Sequence, residues 1–147
     1  MKSKLVLKGE AIIELRRDGK VIDKEHVKNL IVNAGKERVA KLLNGESSTE
    51  FGYLAIGTGT TSPTAGDTAL ETEVARASAT KGYEANYKAT WEKTFSFGSG
   101  EEYDITEAGV SDSATESGAT LLDRLTFSAK SVDSETELYV KITITVA

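Results

Sequence analysis

The feature that most constrains this chain is two-residue alternation. From Tyr83 to Phe97 the odd positions Tyr83, Ala85, Tyr87, Ala89, Trp91, Phe95 and Phe97 are apolar. The even positions Glu84, Asn86, Lys88, Thr90, Glu92, Thr94 and Ser96 are polar. Successive side chains of a strand point to opposite faces, so this pattern predicts a half-buried β-strand over 83–97. Five of the ten aromatics of the chain lie on that face, which reads as core packing rather than a ligand platform. The ending repeats the pattern: Leu138, Val140, Ile142, Ile144 and Val146 alternate with Tyr139, Lys141, Thr143 and Thr145. Its β-branched residues suit a pleated surface.

The beginning alternates too. Leu5, Leu7, Gly9, Ala11, Ile13 and Leu15 share one face, and Asp18-Gly19 is a hairpin turn signal before a returning strand over 20–32. One short helix is predicted near residues 33–44. Asn33 is its candidate N-cap, Val39, Leu42 and Leu43 form its apolar stripe, and Asn44-Gly45 stops it. Phe51 to Ile56 is a short apolar run. The Gly, Thr, Ser and Pro composition that follows predicts a long loop, with Thr58 to Asp67 as its body. Residues 67–79 are ambiguous: the first half is compatible with a helical turn, with Asp67 or Thr68 as its cap, and the second half with a strand. Tyr103 to Val110 and Leu121 to Phe127 are further strand candidates. Seven or eight strands with one helix predict a mainly β protein, a β-sandwich or jelly-roll-like fold over residues 1–147.

Composition narrows the chemistry. The 147 residues hold no Cys and a single His, which excludes disulfides, thiolate metal sites and any site built from two imidazoles. A net charge of −5 argues against nucleic acid, whose phosphates need clustered Lys and Arg. No apolar run is long enough for a membrane span, and Met1 to Leu7 lacks the apolar stretch of a signal peptide. Gly57-Thr58-Gly59-Thr60-Thr61 lacks the Gly-Lys-Ser/Thr ending of a phosphate loop, so it reads as a structural turn. His26 lies in a charged stretch with no serine elbow elsewhere to serve, and reads as a surface residue. The carboxylates Glu101, Glu102, Asp104, Glu107, Asp112, Glu116 and Asp123 are numerous enough for a glycosidase pair or a Ca²⁺ site. No Asp-x-Asp-x-Asp-Gly spacing supports the second. No catalytic residue, cofactor or metal ligand is assigned.

Several segments, in this order, carry a resemblance. Asn29-Leu-Ile-Val-Asn33 leads into the helix. Tyr53-Leu-Ala-Ile-Gly-Thr-Gly-Thr-Thr-Ser-Pro-Thr-Ala-Gly-Asp-Thr-Ala-Leu-Glu-Thr-Glu-Val-Ala-Arg76 follows, then Tyr103-Asp-Ile-Thr-Glu-Ala-Gly-Val110, Leu121-Leu-Asp-Arg-Leu-Thr-Phe127 and the final strand. The pattern resembles small virion structural proteins of tailed bacteriophages from about Glu10 to the end, most specifically over 53–76. The resemblance implies a β-rich protein on the outside of a phage particle, made in the host cytoplasm. It also implies a head decoration (cement) protein, a homotrimer bound to the major capsid protein, or else a tail or tail-fibre component. A carbohydrate-binding sandwich domain is a more distant alternative. No membrane partner is expected. Two contact candidates follow from the residues. Lys2, Lys4 and Lys8 mark residues 1–8 as an extended basic arm able to add to a neighbour's sheet edge, or as simply the first strand. Thr58, Thr60, Thr61 and Pro63 lie in the long loop, a contact surface or a plain connector.

Overall fold

The structure is a computed structural model and describes residues 4–147. Nine antiparallel strands and one helix follow in chain order: β1 Leu7–Arg17, β2 Lys20–Ile31, α1 Asn33–Asn44, β3 Tyr53–Gly57, β4 Glu73–Ser78, β5 Thr80–Glu84, β6 Lys88–Ser96, β7 Tyr103–Ser111, β8 Asp123–Val132 and β9 Thr136–Val146. The sheet order is β4-β3-β7-β8-β2-β1-β9-β6-β5. This is a mainly β, sandwich-like fold whose sheet nearly closes on itself. One layer is β2-β1-β9-β6-β5 and the other is β4-β3-β7-β8. On one side the layers pair in the backbone at just two positions, Leu30↔Arg124 and Ile31↔Asp123, and Glu25 of β2 accepts from Ser128 and Lys130 of β8. On the other side β4 runs into β5 through the single residue Ala79.

The alternating residues build the interior. Ala11, Ile13 and Leu15 of β1 meet Leu138, Val140, Ile142 and Ile144 of β9, and Trp91, Phe95 and Phe97 pack beside them. Burying such side chains stabilises by about 1.5–3 kcal/mol each. Asp18 and Gly19 both have positive φ, as a two-residue hairpin turn requires.

Three expectations need correction. First, Tyr83 to Phe97 is not one strand. It is the β5–β6 hairpin, turned at Ala85 to Tyr87, with Glu84 opposite Lys88. Those partners are both even-numbered, so odd residues stay on one face through the turn and the alternation does not register it. Of the five aromatics, Trp91, Phe95 and Phe97 are buried, but Tyr83 and Tyr87 are 71% and 70% exposed. Second, Val32 rather than Asn33 caps α1, without a side-chain hydrogen bond. The first helical turn is held instead by packing: Gly35 lies so close to the residue before β8 that a Cβ would sit 2.8 Å from Leu122 Cα. Gly45 ends the helix with φ of 81°. Third, the first half of residues 67–79 holds no helical turn, while the strand expected in the second half is β4.

Candidate functional site

Lys2 lies outside the described residues. Lys4 and Lys8 are exposed. Lys8 belongs to β1, opposite Thr145 of β9, and Val6 exchanges backbone hydrogen bonds with Ala147. Most of the proposed arm is therefore the first strand and its lead-in. Thr60 and Thr61 are exposed, while Thr58 and Pro63 are half-buried. The lysines lie along the five-stranded layer and the loop lies on the four-stranded one, so the structure does not bring the two groups together.

The loop is a lid on the outer face of β3, β7 and β8. A bulge after Ile105 turns Glu107 and Gly109 outward while Ala108 and Val110 stay in the main core. Over that outer face Leu70 joins Val32, Ala55 and Leu121 in a second apolar cluster. The Glu107 carboxylate, fully buried, accepts the backbone N–H groups of Gly59 (2.7 Å), Glu71 (2.8 Å) and Thr72 (2.8 Å). It also accepts Arg124 Nε at 3.0 Å, and Arg124 Nη1 reaches Asp67 at 3.1 Å. The stretch that looks like a phosphate loop is thus an amide cradle already filled by the chain's own carboxylate. Glu71 does the same one step out, accepting the amides of Thr60 (2.8 Å) and Thr61 (3.1 Å) and the Thr61 hydroxyl. Those bonds, the hydroxyl's first, hold its carboxyl below the ordinary range.

Of the other candidate carboxylates, Asp112, Glu101, Asp104 and Asp123 are likewise engaged, whereas Glu102 and Glu116 are exposed. Asp112 accepts from Arg38 (2.8 Å) and from the Thr120 amide (2.7 Å), tying α1 to the β7–β8 connection. Glu101 caps the Gly98 amide, and Asp104 accepts the Ser131 hydroxyl. Asp123 is fully buried, and its burial pushes the carboxyl up to about 7. His26 is exposed, its Nε2 3.3 Å from Glu10. Among the described residues no group of three His, Cys, Asp or Glu side chains is placed to hold a metal ion. No helix there is long and apolar enough to cross a membrane.

The surface that stands out went unseen in the sequence. At one end of the sandwich a pocket of about 330 Å³ opens between β5 and α1. Its lining includes Leu7, Phe51, Ala89, Trp91, Leu122, Ile144 and Val146, with Val39 and Leu42 of α1 on one side and Lys81 and Gly82 of β5 on the other. Tyr83 opposes Ala89 and Lys81 opposes Trp91 across the β5–β6 ladder, so they share the inward face. Tyr83 is nevertheless exposed, because here the five-stranded layer overhangs its partner. Val146, in the pocket lining, and Tyr87, in the adjoining β5–β6 turn, are also exposed. The Tyr87 amide donates to the Tyr83 hydroxyl at 3.3 Å, and the Tyr87 carbonyl accepts the Val146 amide at 3.0 Å. Trp91 Nε1 donates to Phe51 O at 2.9 Å, fixing the indole in the floor. An apolar pocket with an exposed apolar rim is the common form of a docking site. The available signal was Asn86 amid the alternation, a turn residue that would have split the strand and released the tyrosines from the core. No family model, curated protein or solved structure matches the chain.

Proposed function

We propose that this chain is a non-catalytic structural component of a tailed-phage particle. On this reading it is a decoration protein that docks on the major capsid protein of the assembled head, as a homotrimer on local three-fold positions of the outer surface. The observation that carries the docking role is an apolar pocket floored by Trp91 and Phe51, with exposed Val146 in its lining and the exposed Tyr83 and Tyr87 in the adjoining β5–β6 hairpin. A large exposed aromatic group costs solubility unless something covers it. The phage setting rests on the resemblance over 53–76 and fits a chain whose buried carboxylates serve as internal ties. A ligand that binds only the assembled shell lowers its free energy by mass action. The test is co-sedimentation with expanded and unexpanded capsids of a candidate phage. Saturable binding to expanded heads, weakened by Tyr83→Ser, is expected. Binding to neither form would refute the reading, and antibody labelling of the tail alone would move the protein to a tail role.

The exposed pair Tyr83 and Tyr87 also favours a second reading, a glycan-binding face, since sugars stack on exposed aromatic rings. A glycan array separates the two: binding lost in Tyr87→Ala supports the second reading, and silence dismisses it.

A further inference from the structure

β5 is an unusual strand. All five of its residues are exposed, it ends the sheet order, and it pairs on one side only, with β6. No other backbone hydrogen bond reaches Thr80 to Glu84 among the described residues. Its outer N–H and C=O groups therefore form a bare ladder, the feature that sheet proteins ordinarily shorten, charge or cover. Beside this edge lies the apolar pocket, and across the pocket stands α1 with Val39 and Leu42. The Lys81–Glu50 ion pair bridges the mouth from β5 to the segment after α1, between groups that are both well exposed.

We infer that the groove between β5 and α1 receives an extended segment of a partner protein, which adds to β5 as a further strand. The occupant has aliphatic side chains at alternate positions. The row of unpaired main-chain groups selects for an extended backbone, because only that places matching donors and acceptors along the edge. The pocket selects the side chains. In a strand, alternate residues point the same way, so one or two aliphatic groups enter the space over Trp91, Phe51 and Leu122 while the intervening residues face solvent. A volume of about 330 Å³ suits that small number of side chains and not a whole helix. The inference rests on the docking role proposed for this end and supplies its mode. Strand addition supplies affinity through the backbone, and the pocket supplies choice among partners.

The experiment uses the full chain and a defined probe set: tagged nine-residue peptides with Val, Ile or Leu at alternate positions, and controls of the same composition in scrambled order. Binding is read by fluorescence polarisation, and the site by amide hydrogen exchange. Alternating peptides should bind saturably and scrambled controls at least tenfold more weakly. Bound peptide should slow exchange in Thr80 to Glu84, which docking through side chains alone would not do. Leu42→Lys places a charge at the pocket wall on a residue already half-exposed, and should weaken binding at least tenfold with the circular dichroism spectrum unchanged. Ala89→Phe, which fills the pocket from the opposite wall, repeats the test if the first variant misfolds. The inference fails if alternating peptides bind no better than scrambled ones, if β5 exchange is unchanged on binding, or if the free chain dimerises through this groove. Peptide binding without capsid binding would sustain the groove and refute the capsid setting alone.

Discussion

Tyr87 shows how a single residue joins backbone cost to surface role. It sits at φ of 71°, next to Asn86 at 73°. Asn tolerates the left-handed region because its short amide bonds locally; a tyrosine there is an outlier. Such conformations persist where surrounding structure holds them, and they concentrate at working sites. Here the hold is visible in the Tyr87 amide bonded to the Tyr83 hydroxyl and the Tyr87 carbonyl bonded to the Val146 amide. The side chain is left exposed. Tyr87→Gly should therefore raise stability by about 0.5–1 kcal/mol, the left-handed strain relieved less the extra entropy of a free glycine. It should also weaken docking at the apolar end. Urea midpoints together with the peptide or capsid assay check both halves. A variant that binds as well as the parent would show that the ring takes no part in docking.

At the scale of elements, the lid over β3, β7 and β8 is the clearest case of sequence under-reading. Its composition predicts a loop, and it is one, but long loops without regular structure are read as free surface by default. What ties this one down is not in the loop. It is Glu107, on the outer face of β7 only because of the bulge after Ile105, and Arg124 on β8. Neither residue announces itself among the many charges of the chain. The close approach also explains Gly57-Thr58-Gly59: a Cβ on Gly57 would sit 2.6 Å from the Glu107 carboxylate. By contrast, β9 and β1 were legible because their alternation maps directly onto one buried face. β5 and β6 were merged because an odd-length turn preserves that alternation. Glu107→Gln keeps the shape and removes the charge. Arg124, 2% exposed, would then keep only Asp67 as an anionic partner. Breaking a buried ion pair on one side costs about 3–5 kcal/mol. The expected result is a lower urea midpoint, with faster amide exchange and proteolysis inside residues 58–72 before global unfolding. An unchanged midpoint would mean that Leu70 and its apolar cluster hold the lid without the carboxylate.

At the scale of the whole molecule, the two layers depend on a narrow seam. Strand order is set by contacts between residues far apart in sequence, so nothing in the local pattern reveals that the β2 and β8 backbones pair at just two positions. Asp123 lies in that seam. Its Oδ1 accepts the Val110 amide of β7 at 2.8 Å, and its Oδ2 meets the Asn29 amide of β2. Asn29 Oδ1, also buried, has no partner. A protonated Asp123 supplies what is missing: with the Asn29 amide turned over, its O–H donates to that oxygen. The pKa, pushed up to about 7 mainly by burial, gives the consequence a sign. Between roughly pH 4 and 7 the folded chain holds a proton that the unfolded chain has released, so this group's contribution is complete in acid and is lost as pH rises through 7. The loss is at most about 4 kcal/mol. Glu71 and Glu84 act the other way. Thr61 lowers the first and Lys141 the second, so their contribution is present near neutrality and disappears as pH falls below the ordinary carboxylate range. The whole chain should thus be most stable in mildly acidic solution and weaken toward pH 8. Asp123→Asn separates the two effects, because its amide can donate to Asn29 Oδ1 and still accept from Val110 at every pH. Urea unfolding at pH 5.5 and pH 8 should show parent stability falling between the two and the variant's nearly flat, with the variant the more stable at pH 8. Equal pH dependence in parent and variant would mean that Asp123 is ionised throughout, and that the seam holds a charged carboxylate rather than a shared proton.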